Sequence, residues 1–419
     1  MKKIILLACS LFACAILYAQ NSTKQLDTEL LKKYTNYFTI DNNQLKGAGA
    51  KVLKDFIRNS QFVVYGEIHG SKQTSILNEA LMPLLADAGF DYFAIEVGPN
   101  SAEKLTELST PASKTVAQLK QFNAAYSVTQ GEETAIPVPF FDMVSDAKFL
   151  QAARANGMQL WGLDQEYYYS AFFLADEMAN SVKGQSNYAE IIQKRDMAKA
   201  EMYNYFVAEV KEEIEDPFTP ILKDKNVNAY FDAFSKNNTK AQAIIKDLKI
   251  TWDIYVNWRN DSHVDRISYM RSNFMKNYNE ALKADKQPKV YTKIGSLHAR
   301  KIVANGAYDI GELVTSLAKQ NKTQATTIGS WRPYEIDADG NLINYFEKYK
   351  RGYKRYKIFM PLAKQDQWAV INLKAIRNAI EKGDIAFPTD GSYHKLRQLV
   401  YAYDYQLLIP ADSQTTPNR

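Results

Sequence analysis

Short apolar runs that end in polar residues recur along this chain and constrain its fold more than any other feature. They are FVVYGEIH (62–69), YFAIEVG (92–98), VPFFDM (138–143), LWGLDQE (160–166) and KVYTKIGSLHA (289–299). Each run is too short for a helix and lacks the alternation of a strand with one face in solvent. Such runs predict strands that are buried on both faces.

The segment between the first two runs has helical periodicity. It starts at a capping residue, Ser71 or Thr74, ends at Gly89, and carries apolar residues at helical spacing: Ile76, Leu77, Ala80, Leu81, Leu84 and Leu85. A strand, a helix and a strand in so short a stretch form a βαβ unit, whose two strands are parallel. We therefore expect an α/β fold with a mainly parallel central sheet flanked by helices.

The remaining segments suggest how the chain is organised. Residues 21–60 read as a polar lead-in and a helix, and residues 61–410 as a single α/β catalytic-type domain. Charged stretches with helical periodicity predict a large helical insertion at about 167–285, between the fourth and fifth core strands. This insertion would be structural cover or the wall of a pocket over the strand ends. The sequence YEIDADGNLINYF predicts a hairpin, and 411–419 a disordered tail.

The first twenty residues indicate export. A basic MKK start, the apolar run IILLACSLFACAILYA and a small residue before a polar stretch are typical of a secretory signal peptide, cleaved near Ala19 or Gln20. The run is shorter than the roughly 20 residues of a membrane-spanning helix. We expect a periplasmic or extracellular protein without a stable membrane span. A lipoprotein cut at Cys14 is less favoured, because it would leave the apolar stub AILYA at the start.

Composition excludes some classes of function. Both cysteines of the chain, Cys9 and Cys14, lie in the expected signal peptide, so the mature chain would have no disulfide and no cysteine nucleophile. No basic run with interleaved aromatic residues suggests a nucleic-acid partner. The motifs G-x-S-x-G, H-E-x-x-H and G-x-G-x-x-G and a P-loop are absent from the sequence.

Polar residues gather where the predicted strands end. In open parallel sheets, ligands bind at the carboxyl ends of the strands. The residues expected at these ends are Glu67, His69, Glu96, Asp142, Asp164, Gln165, Glu166 and His298. Two of the four histidines of the chain belong to this group. The others, His263 in the helical segment and His394 near the surface, are weaker candidates.

The spacing of Glu67 and His69 indicates the chemistry. Residues two apart in an extended segment face the same way, and a carboxylate beside an imidazole makes a usable general base. Glu67, His69, Glu96 and His298 would equally suit a metal ion. The residues alone leave these two alternatives open. The helix after His69 begins with N–H groups suited to holding an anion.

The order of the motifs resembles that of a known group of proteins. GEIHGS, AIEVGP, GLDQE, the helix sequence RISYMRSN (266–273) and KVYTKIGSLHARK follow one another as in the erythromycin esterase and ChaN-like superfamily, which includes haem-binding uptake and Tiki proteins. The similarity spans roughly residues 60 to 300. It implies that Glu67, His69, Glu96 and His298 are the functional residues, with Arg266 and Asp164 beside them.

The resemblance implies different activities in different branches. In the esterase branch His69 would be the general base for metal-free hydrolysis of an ester or lactone. The Tiki branch implies metal-dependent peptide hydrolysis, and the ChaN-like branch implies haem or iron binding without catalysis. Only one residue separates Glu67 from His69, as in ChaN-like proteins, and Ser296 stands where Asn is typical. The leading hypothesis is a secreted hydrolase for a small-molecule or peptide substrate, and the alternative is a haem- or iron-binding protein.

Overall fold

The computed structural model describes residues 23–419 apart from 131–132, 260–262, 305, 350, 352–355, 392 and 414. The predicted signal peptide, residues 1–20, lies outside the described residues. Within the described ranges, no helix combines the length and the apolar character that crossing a membrane requires.

The strands are numbered in chain order. They are β1 (Lys24–Gln25), β2 (Thr35–Asp41), β3 (Gln44–Lys46), β4 (Phe62–Glu67), β5 (Phe90–Ile95), β6 (Val128–Gln130), β7 (Glu133–Ala135), β8 (Gln159–Gly162), β9 (Lys289–Gly295), β10 (Ala325–Trp331), β11 (Tyr334–Ile336), β12 (Leu342–Asn344), β13 (Trp368–Asn372), β14 (Ile385–Ala386), β15 (Tyr405–Leu408) and β16 (Asp412–Ser413).

A nine-stranded sheet forms the centre of the molecule, in the order β3-β2-β13-β15-β10-β4-β9-β5-β8. The strands from β15 to β8 run parallel to one another. Only β13 and β3 break this direction, because β13 pairs antiparallel with β15 and β2, and β3 pairs antiparallel with β2. The predicted α/β fold with a mainly parallel sheet is confirmed.

The apolar runs form strands because both faces of the sheet are covered. In β4, Val63 and Tyr65 pack into the core on one face, and Phe62 and Val64 pack into the core on the other. A strand in this position has no solvent face, which explains why its sequence does not alternate.

One of the five predicted strands is wrong. Residues 138–143 form a loop, in which Phe140 has a φ of +65° and only Met143 makes an isolated bridge, to Pro417. A left-handed residue interrupts an extended backbone, so this run cannot continue as a strand. Four of the predicted strands form, and the helical insertion lies between the third of these, β8, and the fourth, β9.

Helices cover both faces of the sheet. Those outside the insertion are Thr28–Lys32, Ala48–Asn59, Lys72–Asp87, Pro99–Leu108, Thr115–Tyr126, Val144–Ala155, Ile310–Gln320, Tyr345–Lys348, Leu373–Glu381 and Tyr393–Ala402. The insertion between β8 and β9 contains Ser170–Asn180, Tyr188–Val210, Phe218–Lys223, Lys225–Phe231, Thr239–Arg259 and Val264–Ala281.

Both ends of the described chain differ from expectation. Residues 21–60 contain the predicted helix, but they also supply β2 and β3 to the central sheet. The tail, expected to be disordered, is packed: β16 pairs with β11, and Asn418 is 2% exposed. Its contacts are polar, from both the backbone and the side chains, and such contacts leave no apolar pattern in the sequence. The predicted hairpin is confirmed as the antiparallel pair β11 and β12.

Candidate active site

Neighbouring parallel strands bring the predicted residues to one edge of the sheet. Glu67 is the last residue of β4, Glu96 directly follows β5, and Asp164 and His298 come shortly after β8 and β9. Because β4, β9, β5 and β8 are adjacent and parallel, their carboxyl ends meet there.

His69 stands between two buried carboxylates at this edge. Its Nδ1 lies 3.2 Å from Glu67 Oε1 and its Nε2 lies 3.8 Å from Glu96 Oε2. The imidazole side chain itself is 42% exposed. Burial lowers the pKa of His69, but the hydrogen bond with Glu67 and the charges of Glu96 and Glu67 outweigh it, so the pKa is raised. The ring is therefore accessible and strongly oriented.

Lys293 is a second partner of Glu67 that the sequence analysis missed. Its ammonium lies 2.6 Å from Glu67 Oε2, and both side chains are buried. Burial raises the pKa of Glu67, but Lys293 and the hydrogen bond with His69 outweigh it, so the pKa is lowered. The ionised Glu67 accepts the Nδ1–H of His69 and leaves the lone pair on Nε2. A lysine inside the buried-strand sequence KVYTKIG was the signal for this residue.

Glu96 connects the two histidines of the site. Its Oε1 lies 2.9 Å from an Arg266 nitrogen and 3.5 Å from His298 Nε2. Its Oε2 accepts the backbone N–H of Gly295 at 2.5 Å. A Cβ at Gly295 would lie 2.9 Å from His69 Nε2 and 3.2 Å from Glu96 Oε2, so this close approach requires glycine.

Arg266 ties the helical insertion to the sheet. Its guanidinium donates to both carboxylate oxygens of Asp164, at 3.0 and 2.5 Å, besides donating to Glu96. Two-point contacts of this kind fix the plane of the guanidinium as well as its charge. Two helix turns further along, Asn273 donates to the carbonyl oxygen of Leu163 at 2.9 Å. These contacts hold helix Val264–Ala281 over the strand ends.

His298 is held differently from His69. Its Nδ1 lies 2.6 Å from Asp309 Oδ2, and its side chain is only 10% exposed. Burial lowers the pKa of His298, but the hydrogen bond with Asp309 and the charges of Glu96 and Asp309 outweigh it, so the pKa is raised. Asp309, also missed by the sequence analysis, caps helix Ile310–Gln320 through Ile310 N. An Asp directly before an apolar periodic run was the available signal.

A cavity of about 580 Å³ opens over His69. This volume suits a small-molecule ligand. His69, Asp164 and Arg266 form its polar side. Its apolar side includes Phe140, Tyr167, Ile254, Tyr255 and Trp258. Three of these belong to helix Thr239–Arg259, so the insertion does contribute a wall over the strand ends. Among the described residues around the cavity, His298 is not a lining residue.

Phe140 packs directly on the candidate base. Its ring lies parallel to the His69 ring, with centroids 4.1 Å apart and an interplanar angle of 10°. Lys293 Nζ lies 6.0 Å from the centroid of the same ring. A non-glycine residue with a φ of +65° is strained by roughly 1–3 kcal/mol, which surrounding contacts must offset. The sequence carried no signal for this contact, because the loop conformation that makes it depends on tertiary packing.

The other strand-end residues have different positions. Glu166 turns away from the cavity and accepts from Asn100 N at 2.7 Å and Ser101 Oγ at 2.5 Å; burial raises its pKa to about 7. Asp142 lines the cavity but comes from a loop. The helix start after His69 offers less to an anion than expected, since Thr74 N already donates to Ser71 Oγ.

Part of the predicted metal ligand set comes together. Glu67, His69 and Glu96 each offer a ligand atom, all within 4.8 Å of one another. However, the Lys293 ammonium and the Arg266 guanidinium already neutralise the two carboxylates, at 2.6 and 2.9 Å. A divalent cation there would have to share both carboxylates with cations that are already paired with them. The donor set therefore fits the orientation of an imidazole better than it fits a metal ion.

Comparisons with known proteins agree with the fold. No protein-family model and no curated protein sequence matches this chain. The structure of an erythromycin esterase mutant in its open conformation superposes with a TM-score of 0.52 at 12% identity, over 90% of this chain and 98% of that one. A Bacillus cereus protein gives 0.53 at 14% identity, over 93% and 99%. These similarities confirm the fold that the motif order implied. They do not extend to activity.

A haem-binding ChaN of Campylobacter jejuni is also similar, at 12% identity over 74% of this chain and 97% of that one. Its TM-score of 0.31 is too low to support an argument about function.

Proposed function

We propose that this protein hydrolyses an ester, lactone or amide bond of a small-molecule or peptide substrate, with His69 as the general base. The observation that carries the proposal is the accessible His69 imidazole, held by the buried Glu67–Lys293 pair beside the aromatic-walled cavity. A general base needs a fixed tautomer, an exposed ring and room for substrate, and these contacts support the assignment on all three points.

The contacts suggest how the reaction proceeds. Nε2 of His69 takes a proton from a water molecule as the water oxygen attacks the substrate carbonyl carbon. The imidazolium that forms is stabilised by Glu67 at 3.2 Å and Glu96 at 3.8 Å. Arg266 lines the cavity and supplies positive charge toward the developing oxyanion. The imidazolium then returns its proton to the leaving alcohol or amine as the carbon–heteroatom bond breaks.

Two wider expectations complete the proposal. The proposed reaction requires no cofactor, because an imidazole activates the water and its two carboxylate partners are already paired with Lys293 and Arg266. We also propose that the protein acts outside the cytoplasm, as the character of residues 1–20 implies.

A panel of nitrophenyl esters, lactones and aryl amides tests the proposal. We expect the wild-type protein to hydrolyse at least one member, and His69→Ala to lose about 10²- to 10⁴-fold in kcat. His394→Ala is the matched control, because it removes a histidine from helix Tyr393–Ala402 that is not part of the site. Hydrolysis that survives His69→Ala would contradict the proposed base.

Two further measurements decide against the alternatives. A visible spectrum with added haem should show no Soret band that depends on His69; such a band, abolished by His69→Ala, would favour haem binding instead. Activity should also persist after treatment with a chelator. Loss on chelation and recovery with a divalent metal would overturn the metal-independent proton transfer.

A further inference from the structure

His69 and Phe140, the two stacked residues, each lie shortly before a segment in which a helix begins, and both segments are held by the tail of the chain. One segment is Ser71–Gln73, directly after His69 and Gly70, and the other is Asp142–Val144, shortly after Phe140. Residues 411–413 and 415–419 contact both segments, as the following contacts show.

Asp412 holds the segment after His69. Its Oδ1 accepts the N–H of Gln73 at 3.1 Å, and its side chain is almost fully buried, with Asp412 1% exposed. Arg332 lies 3.6 Å from its other oxygen. The pairing of Asp412 with Glu335 in β16 and β11 fixes its backbone. A carboxylate at the start of helix Lys72–Asp87 satisfies an N–H that has no partner within the helix, and it complements the helix dipole.

Asn418 and its neighbours hold the segment after Phe140. Asn418 N donates to the carbonyl of Asp142 at 2.6 Å, and Val144 N donates to the carbonyl of Thr416 at 2.9 Å. The Asn418 side chain is buried and donates to Val116 O at 3.2 Å. The second segment is therefore tied to the tail on both sides of its bridge residue.

We infer that Asp412 and Asn418 are positioning residues for the His69–Phe140 stack. Neither is among the described residues that line the cavity. Asp412 acts through its carboxylate. The Asn418 side chain acts through its bond to Val116 O, which fixes the backbone N–H that Asn418 donates to Asp142. The consequence for catalysis rests on the proposed function, whereas the effect on the stack does not.

The test uses a deletion of residues 411–419, the point variants Asp412→Ala, Asp412→Asn and Asn418→Ala, and the control Thr416→Ala. The control removes an exposed side chain whose residue contributes only its backbone carbonyl. Two readouts are independent of activity. They are the His69 ring-proton chemical shifts, which the stacked Phe140 ring displaces, and amide hydrogen exchange by mass spectrometry.

We expect Asp412→Ala and Asn418→Ala to lose the ring-current shift at His69. Exchange should rise in peptides covering 71–73 and 142–144, while the central strands keep their protection. On an ester that the wild type hydrolyses, kcat should fall on the order of 10- to 100-fold, with a smaller change in KM. Asp412→Asn keeps the acceptor oxygen and should restore kcat. A synthetic ADSQTTPNR peptide should partly restore the deleted protein.

An unchanged His69 shift and unchanged exchange in the point variants would overturn the inference. Exchange that rises across the whole sheet would also overturn it, because the tail would then stabilise the fold generally. If the full chain hydrolyses nothing, the proposed function fails while the shift and exchange still decide the positioning role. If the deletion does not fold, the point variants decide.

Discussion

The two histidines of the site have similar partners and opposite exposure. His69 hydrogen-bonds Glu67 through Nδ1, and its side chain is 42% exposed at the cavity. His298 hydrogen-bonds Asp309 through Nδ1, and its side chain is 10% exposed. Glu96 lies between them, 3.8 Å from Nε2 of His69 and 3.5 Å from Nε2 of His298.

This difference separates a residue that reaches substrate from one that acts through a neighbour. Of the two, only His69 has an exposed ring that lines the cavity, so His69 is the histidine we propose to take a proton from water. His298 is enclosed, and its Nε2 faces the carboxylate that stabilises the charged form of His69. We therefore assign His298 a positioning role, through Glu96, in the proposed reaction.

The largest effect should come from replacing each histidine by Gln. We expect His69→Gln to lower kcat about 10²- to 10⁴-fold, because the proton acceptor is lost. His298→Gln should lower it about 10- to 100-fold, because Glu96 is only displaced. Steady-state kinetics on one ester measures both. An equal loss, or a larger loss in His298→Gln, would reverse the assignment of the base.

The next effect concerns the free energy of unfolding and depends on the contact between His298 and Asp309. The folded pKa of His298 is raised above the ordinary 6.5, so its contribution to stability is fully present below pH 6.5 and is lost as pH rises through the folded pKa. Asp309→Asn should lower the free energy of unfolding by about 2 kcal/mol near pH 6, and by less at pH 9. Chemical denaturation at both pH values measures this.

Asp339→Asn is the control for that experiment, since Asp339 is exposed in the β11–β12 turn. A deficit in Asp309→Asn that does not depend on pH would mean that Asp309 acts only as the cap of its helix.

The sequence predicted the residues that parallel-sheet geometry brings together. Glu67, His69, Glu96 and His298 were found because apolar runs ended at them, and the ends of adjacent parallel strands converge. Their proximity followed from topology and needed no knowledge of side-chain packing. Arg266 was placed by the resemblance alone, because it reaches the site from an insertion whose docking no local pattern reveals.

The features that the sequence did not predict depend on contacts between residues that are distant in sequence. Lys293 is not among the predicted residues because it lies within a strand and not at its end, and its partner Glu67 lies on a neighbouring strand. Phe140 was placed in a strand, since apolar content does not report a left-handed backbone. The tail was expected to be disordered because its sequence is polar. The hydrogen bonds that order it join residues distant in sequence, so no local pattern indicates them.

A smaller effect tests which groups raise the pKa of His69. The base is active when neutral, so the rate should fall as pH falls through its raised pKa. Glu67→Gln removes a charge that raises this pKa, and the acid limb of the pH–rate profile should move to lower pH. Because Lys293 would lose its partner, the double variant Glu67→Gln/Lys293→Met serves as the control for stability. An acid limb that stays in place would mean that a group other than His69 controls it.

The smallest effect concerns the ring beside His69. Glu67 and Glu96 hold the exposed His69 imidazole through its two nitrogens, whereas His298 is also held by burial, so the Phe140 stack should matter more for His69. An aromatic pair contributes about 0.5–1.5 kcal/mol, so Phe140→Leu should lower kcat about 2- to 10-fold.

Phe140→Gly should lower kcat similarly yet unfold at a higher denaturant concentration than Phe140→Leu, because glycine adopts a φ of +65° without strain. Equal unfolding midpoints would mean that the loop stores no strain, and unchanged kcat in both variants would mean that the carboxylates alone hold the base.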